Sequence, residues 1–292
     1  MKLIATMPVR NEAWVVGLSA RVALMWCDEL VILNHRSTDG SVEIIAEVQR
    51  ENPGRVHLVS TPDAQWSEMQ HREIMLDLAR AKAATHIALV DADEILTGSL
   101  LCRSLLVEAG AILHLPGYNL RSGLWRYHSN GLWGQRWFST TFKDDPRLHW
   151  AAALGGRGGE KHHQREPLGR KLEPYRPVRQ GDGGVMHLWG ANERRLRAKH
   201  AWYKMQERLK WPDKNLLEID AMYSWWRTGC RPGEPFNWQF NDVSVSWWEP
   251  YKHLMQYLDL DVYPWQEGEC KELWTRHGAA TFKGLDLFGV VE

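Results

Sequence analysis

The chain has 292 residues, of which 44% are apolar and 25% charged, and its 36 basic side chains balance its 36 acidic ones. This is the composition of a globular protein, and zero net charge gives no general attraction to nucleic acid or anionic lipid. The four cysteines follow no zinc-site or disulfide spacing, and no apolar run is long enough for a signal peptide core or a bilayer span. We therefore expect a soluble cytoplasmic protein with reduced thiols and no transmembrane segment, either free or peripheral at a membrane.

Short apolar runs alternate with amphipathic stretches over the first hundred residues. Four runs predict strands, at 3–7, 30–33, 56–59 and 86–90. Three stretches predict helices, at 13–25, 41–48 and 68–83. Pro8 is predicted to end the first strand, because proline has no amide hydrogen for a strand interior. Ser41 is predicted to cap the second helix.

This alternation predicts an α/β fold, with a mostly parallel sheet and helices on its faces. In such sheets ligands bind beyond the carboxyl ends of the strands. A polar or acidic group follows each of the four predicted strands, at 11–12, 34–39, 63 and 91–94. Simple solvation of strand ends is the alternative, but Asp91 and Asp93 directly follow an apolar strand and would repel each other without a cation. We therefore expect one composite site.

The second half of the chain has a different composition. Residues 117–185 are rich in Gly, Arg, His and Trp, residues 191–210 form a basic helical stretch, and helical patterns recur at 216–226 and 247–258. Of the 17 tryptophans, 14 follow residue 120. Indole faces suit sugar rings as well as cores. The candidates for acceptor binding, each of which also suits a core, are Trp125, Trp133, Trp137, Trp150 and Trp189.

The segment Asp91-Ala92-Asp93 carries the strongest chemical signal. Two carboxylates one residue apart at a strand end can share a hard divalent cation, and Mg²⁺ and Mn²⁺ prefer oxygen ligands while keeping positions for phosphate oxygens. We therefore expect Mn²⁺ or Mg²⁺ as the cofactor.

Three segments together resemble the family 2 glycosyltransferases with the GT-A fold, closest to the subgroup that includes bacterial lipopolysaccharide core glucosyltransferases. They are residues 7–12 (MPVRNE), 26–33 (WCDELVIL) leading into 37–41 (STDGS), and 89–94 (LVDADE). The resemblance covers residues 1–100 and implies a nucleotide-sugar-binding half there. The later chain matches only at scattered points. There we expect an acceptor and catalytic half of the same domain at 101–190 and a mainly helical, Trp-rich extension at 191–292, packed on the core because no low-complexity linker separates it.

The resemblance also implies roles for individual residues. Asp93 would ligate the metal, Asp91 would contact ribose or a metal-bound water, and His187 would complete the metal shell. Asn34 stands where the family usually has an aspartate that reads uracil, which leaves the base open. The residues implied to contact the nucleotide sugar are Pro8, Asn11, Glu12, Asn34, Asp39, Arg72, Asp91, Ala92 and Lys199.

The implied reaction is transfer of a sugar from a nucleotide-diphosphate sugar, such as UDP-glucose, to a hydroxyl acceptor with inversion. A carboxylate should take the acceptor's proton. Glu160 stands nearest the position of the family's His-Glu pair, and Asp182 and the pair Asp144-Asp145 compete with it.

The acceptor is expected to be a glycan. A hydroxylated base in viral DNA is an alternative that would need the basic stretch at 191–210 as its binding face. A nucleotidyltransferase is a second alternative, although no glycine-rich loop follows the first strand. A non-catalytic carbohydrate-binding protein is a third, although it gives no reason for the acidic strand ends.

Overall fold

The computed structural model describes residues 1–61, 66–100, 106–134, 136–150, 165–228 and 238–291. The chain divides into two units, each made of three separate segments. The first unit comprises Met1–Gly117, Trp137–Met186 and Ser244–Asp259, and the second Tyr118–Arg136, His187–Val243 and Leu260–Glu292. The sequence-based prediction, by contrast, has three regions that are each one continuous segment: 1–100, 101–190 and 191–292.

The secondary structure follows the predicted order in the first hundred residues. The strands are β1 (Leu3–Val9), β2 (Glu29–Asn34), β3 (Val56–Ser60), β4 (His86–Leu89), β5 (Glu94–Leu96), β6 (Ala111–Arg121), β7 (Arg126–His128), β8 (Arg136–Lys143), β9 (Glu173–Tyr175), β10 (Val185–Gly190) and β11 (Phe240–Asp242). The α-helices are α1 (Val16–Trp26), α2 (Ser41–Glu51), α3 (Glu68–Ala81), α4 (Glu193–Lys210), α5 (Leu216–Thr228), α6 (Val245–Trp248), α7 (Trp265–His277) and α8 (Ala279–Phe282).

The sheet of the first unit has a parallel centre. β1 pairs in parallel with β2 on one side and β4 on the other, and β2 pairs in parallel with β3. β8 pairs antiparallel with β4. The carboxyl ends of β1, β2 and β4 therefore meet at one edge. This confirms the predicted α/β fold with a mostly parallel sheet and flanking helices.

Alternating side chains of the central strands build a core on each face of the sheet. Ala5 and Met7 of β1 pack with Val16 of α1 in one cluster, while Ile4 of β1 packs with Met75 of α3 in another. This follows from the two-residue period of a strand. Fully burying one such aliphatic side chain stabilises the fold by about 1.5–3 kcal/mol, so the core fixes the strand ends that carry the polar residues.

The prediction that Pro8 ends the first strand is wrong. β1 continues to Val9, and Pro8 pairs in register with Leu33 of β2. The Thr6 carbonyl accepts from Val90 on the β4 side, and the Val9 carbonyl accepts from His35 on the β2 side. Alternate residues of a strand bond to opposite neighbours, so Pro8 faces the β4 side, where the pairing ends at Thr6. The missing amide hydrogen therefore breaks no ladder bond.

The predicted capping role of Ser41 is also wrong. The N-cap of α2 is Gly40, whose φ of 89° lies in the left-handed region, and Ser41 is the first helical residue. The Ser41 hydroxyl donates instead to Asp39 Oδ1. A position of this conformation favours glycine, because it has no Cβ to clash. The Ser41 side chain therefore bonds to the loop that precedes α2.

The second unit is mainly helical. Its core gathers Met205 of α4, Cys270 and Leu273 of α7, and Phe282 of α8. The helices predicted at 191–210 and 216–226 are confirmed as α4 and α5. The stretch predicted at 247–258 belongs to the first unit and consists of α6 followed by a 3-10 helix, Glu249–Tyr257. Across the described ranges, no helix has the length and apolarity needed to cross a membrane.

Candidate functional site

The loops after β1 and β2 are joined through Asn11 and Asp39. Asn11 has a φ of 55°, a conformation that asparagine tolerates better than most residues. Its backbone N–H donates to Ser37 Oγ (2.9 Å), and its side-chain Oδ1 accepts from the Thr38 backbone N–H (2.7 Å). Asp39 Oδ2 accepts from the Ala13 amide (3.0 Å). Two positions implied to bind a nucleotide thus already bind backbone groups that shape the strand ends.

Glu12 and Asn34 extend the same network. The Glu12 amide donates to Ser41 Oγ (2.9 Å), and its Oε2 accepts from Trp14 Nε1 (2.5 Å). Asn34 Oδ1 accepts from the Ser37 amide (3.1 Å). The structure therefore brings Asn11, Glu12, Asn34 and Asp39 together at the edge where the sequence predicts a site, and Pro8 lies in β1 beside them.

The turn after β4 is closed by Glu94. The Glu94 amide donates to the Asp91 carbonyl (3.0 Å), and the Asp91 amide donates back to Glu94 Oε2 (3.1 Å). Arg165 holds both Glu94 oxygens, with Nη1–Oε1 at 2.5 Å and Nη2–Oε2 at 2.7 Å. Its Nη1 also lies 3.6 Å from Asp91 Oδ2. The paired guanidinium and carboxylate fix the turn in which Asp91 and Asp93 stand.

Arg72 approaches Asp91 from helix α3. Its Nη2 donates to Asp91 Oδ1 (3.2 Å), and its Nε and Nη2 both donate to Glu68 Oε1 (3.0 and 2.8 Å). The Arg72 side chain is 1% exposed. Its Nη1 is buried and has no hydrogen-bond partner within the described residues. A buried guanidinium N–H without an acceptor is costly, so this atom suits an anionic group brought in by a ligand.

We call these six residues the strand-end cluster: Glu68, Arg72, Asp91, Asp93, Glu94 and Arg165. Four of them carry carboxylates and two carry guanidiniums. Burial acts to lower the pKa of Arg165, but the charges of Glu94 and Asp91 outweigh it and raise that pKa above its usual value. Asp93 is 7% exposed and Asp91 has 23% of its side chain exposed.

The donor set of this cluster fits a divalent cation. Mg²⁺ is held in proteins by one or two carboxylates together with substrate phosphates and waters, and Asp91 and Asp93 supply two carboxylates one residue apart. The described residues contain no group of three or more His, Cys, Asp or Glu that would cage a metal alone.

His187 lies in the second unit, where its tautomer is fixed by neighbours. Trp189 Nε1, which can only donate, bonds to Asn119 Oδ1 at 2.8 Å, and His187 Nδ1 lies 3.0 Å from the same oxygen. Nδ1 must therefore carry the hydrogen, which places the lone pair of a neutral ring on Nε2. A metal-binding histidine typically shows this arrangement, and the sequence did not single out Asn119.

The basic residues of α4 bond to other groups of the second unit. Arg194 pairs with Glu267 (2.8 Å), Arg197 pairs with Glu193 (2.9 Å), and Lys204 is fully buried. Lys199, implied to contact phosphate, is partly buried on the same helix.

The tryptophans proposed for acceptor binding occupy different environments. Trp125 is 54% exposed. Trp133 is partly buried against Trp189, with ring centroids 4.8 Å apart, and Trp189 is 5% exposed. Trp150 is 1% exposed and packs in the core against Phe142. The structure thus places Trp150 and Trp189 as core residues, and Trp125 on an open face.

The remaining predicted positions are placed as follows. Glu160 and Asp63 lie outside the described residues. Asp182 is exposed, and its carbonyl accepts from Ser99 Oγ (3.1 Å). Asp144 is paired with Arg80, while Ala92 is buried in the core.

Sequence reasoning missed Glu68, Glu94 and Arg165. Of these three, only Glu94 could have been found from its neighbours, because it directly follows Asp93 in the sequence. Arg165 lies 71 residues away from Glu94 in the chain.

No protein-family model and no curated protein matches the chain. Solved structures are similar at low identity. Staphylococcus aureus TarS 1–349 in complex with UDP-GlcNAc has 13% identity over 97% of this chain and 88% of that one, with a TM-score of 0.40. Mannosyltransferase PcManGT from Pyrobaculum calidifontis, in complex with GDP-Man and Mn²⁺, has 13% identity over 99% and 78%, with a TM-score of 0.38. A match to TarS 1–349 at 19% identity covers 33% of this chain and 28% of that one, with a TM-score of 0.29. These scores assign neither a family nor an activity to this chain.

Proposed function

We propose that the chain is an inverting, metal-dependent GT-A glycosyltransferase of the family 2 type. It takes a sugar from a nucleotide-diphosphate sugar, with a UDP-sugar as the first candidate, and passes it to a hydroxyl of a glycan acceptor. The observation that carries the proposal is the strand-end cluster, in which Asp91 and Asp93 follow β4 at the edge where the loops of β1 and β2 are joined, and Arg72 and Arg165 hold Asp91.

The residues of this edge divide the work of binding the donor. Asp93, with Asp91, would hold Mn²⁺ or Mg²⁺. The sequence resemblance alone makes His187 a further candidate ligand. When bound, the cation neutralises negative charge on a departing diphosphate. Arg72 and Arg165 hold the Asp91 carboxylate in place, and the buried Arg72 Nη1 is a donor that a phosphate oxygen would satisfy.

The loops of β1 and β2 supply the nucleotide side of the proposed site. Glu12, Asn34 and Asp39 would contact the base or the ribose, with Asn11 and Asp39 keeping the two loops in register. Because such bonds exist before the donor arrives, less ordering is needed on binding. Lys199 remains a candidate for phosphate contact, and Trp125 and Trp133 for acceptor contact.

The reaction forms two bonds and breaks two. The acceptor oxygen attacks the anomeric carbon while the bond from that carbon to the diphosphate oxygen breaks, and the diphosphate leaves with the electron pair. The acceptor O–H bond breaks as a carboxylate takes the proton. From the sequence, Glu160 and Asp182 are the candidates for that base.

A donor panel tests the proposal. Purified protein with Mn²⁺ is incubated with UDP-, GDP- and dTDP-sugars, and slow nucleotide release to water is measured. We expect release from a UDP-sugar, its loss on addition of EDTA, and a fall of at least about a hundredfold in Asp93→Ala, because metal stabilisation of the leaving group is worth several kcal/mol. Asp213→Ala, at an exposed position of the second unit, is the matched control.

Full turnover in Asp93→Ala would overturn the metal assignment. Release from no donor in the panel, with sugar binding retained, would favour a non-catalytic carbohydrate-binding protein.

A further inference from the structure

A second cluster of polar side chains lies beside the strand-end cluster in the first unit. His114 of β6 and Ser139 of β8 are both buried, and His114 Nε2 lies 3.0 Å from Ser139 Oγ. Glu166 Oε1 accepts from Ser139 Oγ (3.3 Å) and lies 3.4 Å from His114 Nε2. The Glu166 side chain is 54% exposed. We call these three residues the His114–Ser139–Glu166 cluster.

Arg165 connects the two clusters. Its Nε donates to the Ser139 carbonyl (3.1 Å), and its Nη2 donates to the Leu89 carbonyl at the end of β4 (2.9 Å). Its Nη1 lies 3.6 Å from Asp91 Oδ2. One guanidinium therefore touches both Asp91 and the backbone of Ser139. Glu166 is the next residue in the chain and bonds to the Ser139 side chain, so its carboxylate lies at the same edge of the sheet as Asp91.

The geometry of the cluster disfavours a nucleophilic serine. In a serine triad the hydroxyl and the acid bond to different nitrogens of the histidine, so that the ring can pass a proton between them. Here Ser139 Oγ and Glu166 Oε1 are both next to Nε2. The described residues offer no hydrogen-bond partner to Nδ1, which is buried. The carboxylate, being the most exposed of the three groups, is instead the one that a substrate can reach.

His114 positions Glu166 through Ser139. The Ser139 hydroxyl donates to Glu166 Oε1 (3.3 Å), so its oxygen accepts from His114 Nε2 (3.0 Å). Burial is the main cause that lowers the pKa of His114; the charge of Glu166 opposes it, and the charge of Arg176 adds to it. A neutral ring with its hydrogen on Nε2 thus fixes the serine, and the serine hydroxyl orients the carboxylate.

Trp137 lies on the same face of β8 as Ser139, because alternate residues of a strand point to the same side. It is partly buried, and the Arg176 guanidinium lies 4.8 Å from its ring centroid. A sugar ring packs its C–H face on an indole of this kind, so Trp137 is a candidate contact for the acceptor.

We propose that Glu166 is the general base that takes the proton of the acceptor hydroxyl, with His114 and Ser139 as its positioning residues. The inference rests on the proposed glycosyltransferase function. The acceptor O–H bond breaks and its proton moves to a Glu166 oxygen. The acceptor oxygen bonds to the anomeric carbon, and the sugar–diphosphate bond breaks with its electron pair on the diphosphate.

The test compares two nucleophiles in Glu166→Gln. Water needs a base to remove its proton, whereas azide has no proton to lose. With Mn²⁺ and the donor that the wild type accepts, we expect nucleotide release to water to fall by at least about a hundredfold, within the range for general base catalysis. Glycosyl azide formation should stay within about threefold of the wild-type rate, as a base role requires. Glu108→Gln, at a side chain that is 96% exposed, should change neither rate.

Each other outcome overturns the inference. Release to water at the wild-type rate would show that another group is the base, and Glu160→Gln and Asp182→Asn would then be assayed in the same way. Equal loss with water and azide would show that Glu166 supports the fold or the donor site instead. Release from no donor by the wild type would contradict the proposed function itself, which separates the two failures.

Discussion

Buried charge is compensated differently in the two units. In the strand-end cluster, four carboxylates face two guanidiniums. In the second unit, the Lys204 ammonium is fully buried. Its three N–H groups donate to Asp220 Oδ1 (2.7 Å), Ser224 Oγ (2.9 Å) and the Asp286 carbonyl (2.8 Å). A charge with every hydrogen bond made serves the fold. In the strand-end cluster, by contrast, the buried Arg72 Nη1 has no hydrogen-bond partner within the described residues, and such a donor is costly until a ligand supplies an acceptor.

Removing Arg165 should break the first side of this comparison and have the largest effect. In Arg165→Met, Glu94 keeps its burial at 2% side-chain exposure but loses its bidentate partner. We expect the free energy of unfolding of the first unit to fall by about 3–5 kcal/mol, measured by urea denaturation, with reduced nucleotide release. Arg147→Met removes an ion pair at a side chain that is 65% exposed, and solvent screening should make its effect on the free energy of unfolding far smaller. If Arg165→Met and Arg147→Met were equally stable, the buried Arg165–Glu94 pair would not have the structural role given to it here.

Removing Lys204 tests the other side. Lys204→Met keeps most of the buried stem but leaves Asp220 and the Asp286 carbonyl without this donor. We expect the free energy of unfolding of the second unit to fall by about 1.5–3 kcal/mol, the range for a hydrogen bond to a charged group. Below the unfolding transition, nucleotide release per folded molecule should match the wild type. A large loss of release in a folded Lys204→Met protein would place Lys204 in the site and remove the contrast.

A third prediction concerns a buried group that is kept neutral. Burial is the main cause that lowers the pKa of His200 to about 3, with the charge of Lys199 next. An unfolded histidine titrates near about 6.5, so below that pH the unfolded chain binds a proton that the folded chain does not. The stabilising contribution is complete above about pH 6.5 and should shrink by about 2 kcal/mol between pH 7 and pH 5.

Urea denaturation at pH 7 and pH 5 measures this loss, and His200→Gln should show a smaller one. The exposed His277 provides a control, because His277→Gln should keep the wild-type difference between the two pH values. A difference unchanged in His200→Gln would contradict the neutral buried form.

Local patterns predicted the central strands and helices because they depend on short-range periodicity. β1 to β4 and α1 to α3 begin or end within a few residues of their predicted limits. The two local errors have different causes. Pro8 remains in β1 because β4 pairs no further than Thr6, which the residues next to Pro8 do not reveal. The Ser41 hydroxyl donates to Asp39, two residues away, and this local alternative to capping was overlooked.

The candidate site was predicted only in its acidic part. Asp91 and Asp93 follow a strand and show a motif, and Asn11 and Asp39 follow the neighbouring strands. Arg165 is separated from Glu94 by 71 residues and Ser139 from His114 by 25, so only the fold brings them together. The tryptophans show the converse limit, because composition cannot separate a core residue such as Trp150 from an exposed one such as Trp125.

The distance along the chain between Arg165 and its partners also bears on how the protein matures. The chain is made from its N-terminus, and domains can begin to fold during synthesis. The first four strands and both aspartates leave the ribosome well before residue 165. Until then the turn after β4 lacks the guanidinium that joins Leu89, Glu94 and Ser139. A nascent or truncated chain that stops before this arginine would carry the acidic motif without the structure that presents it.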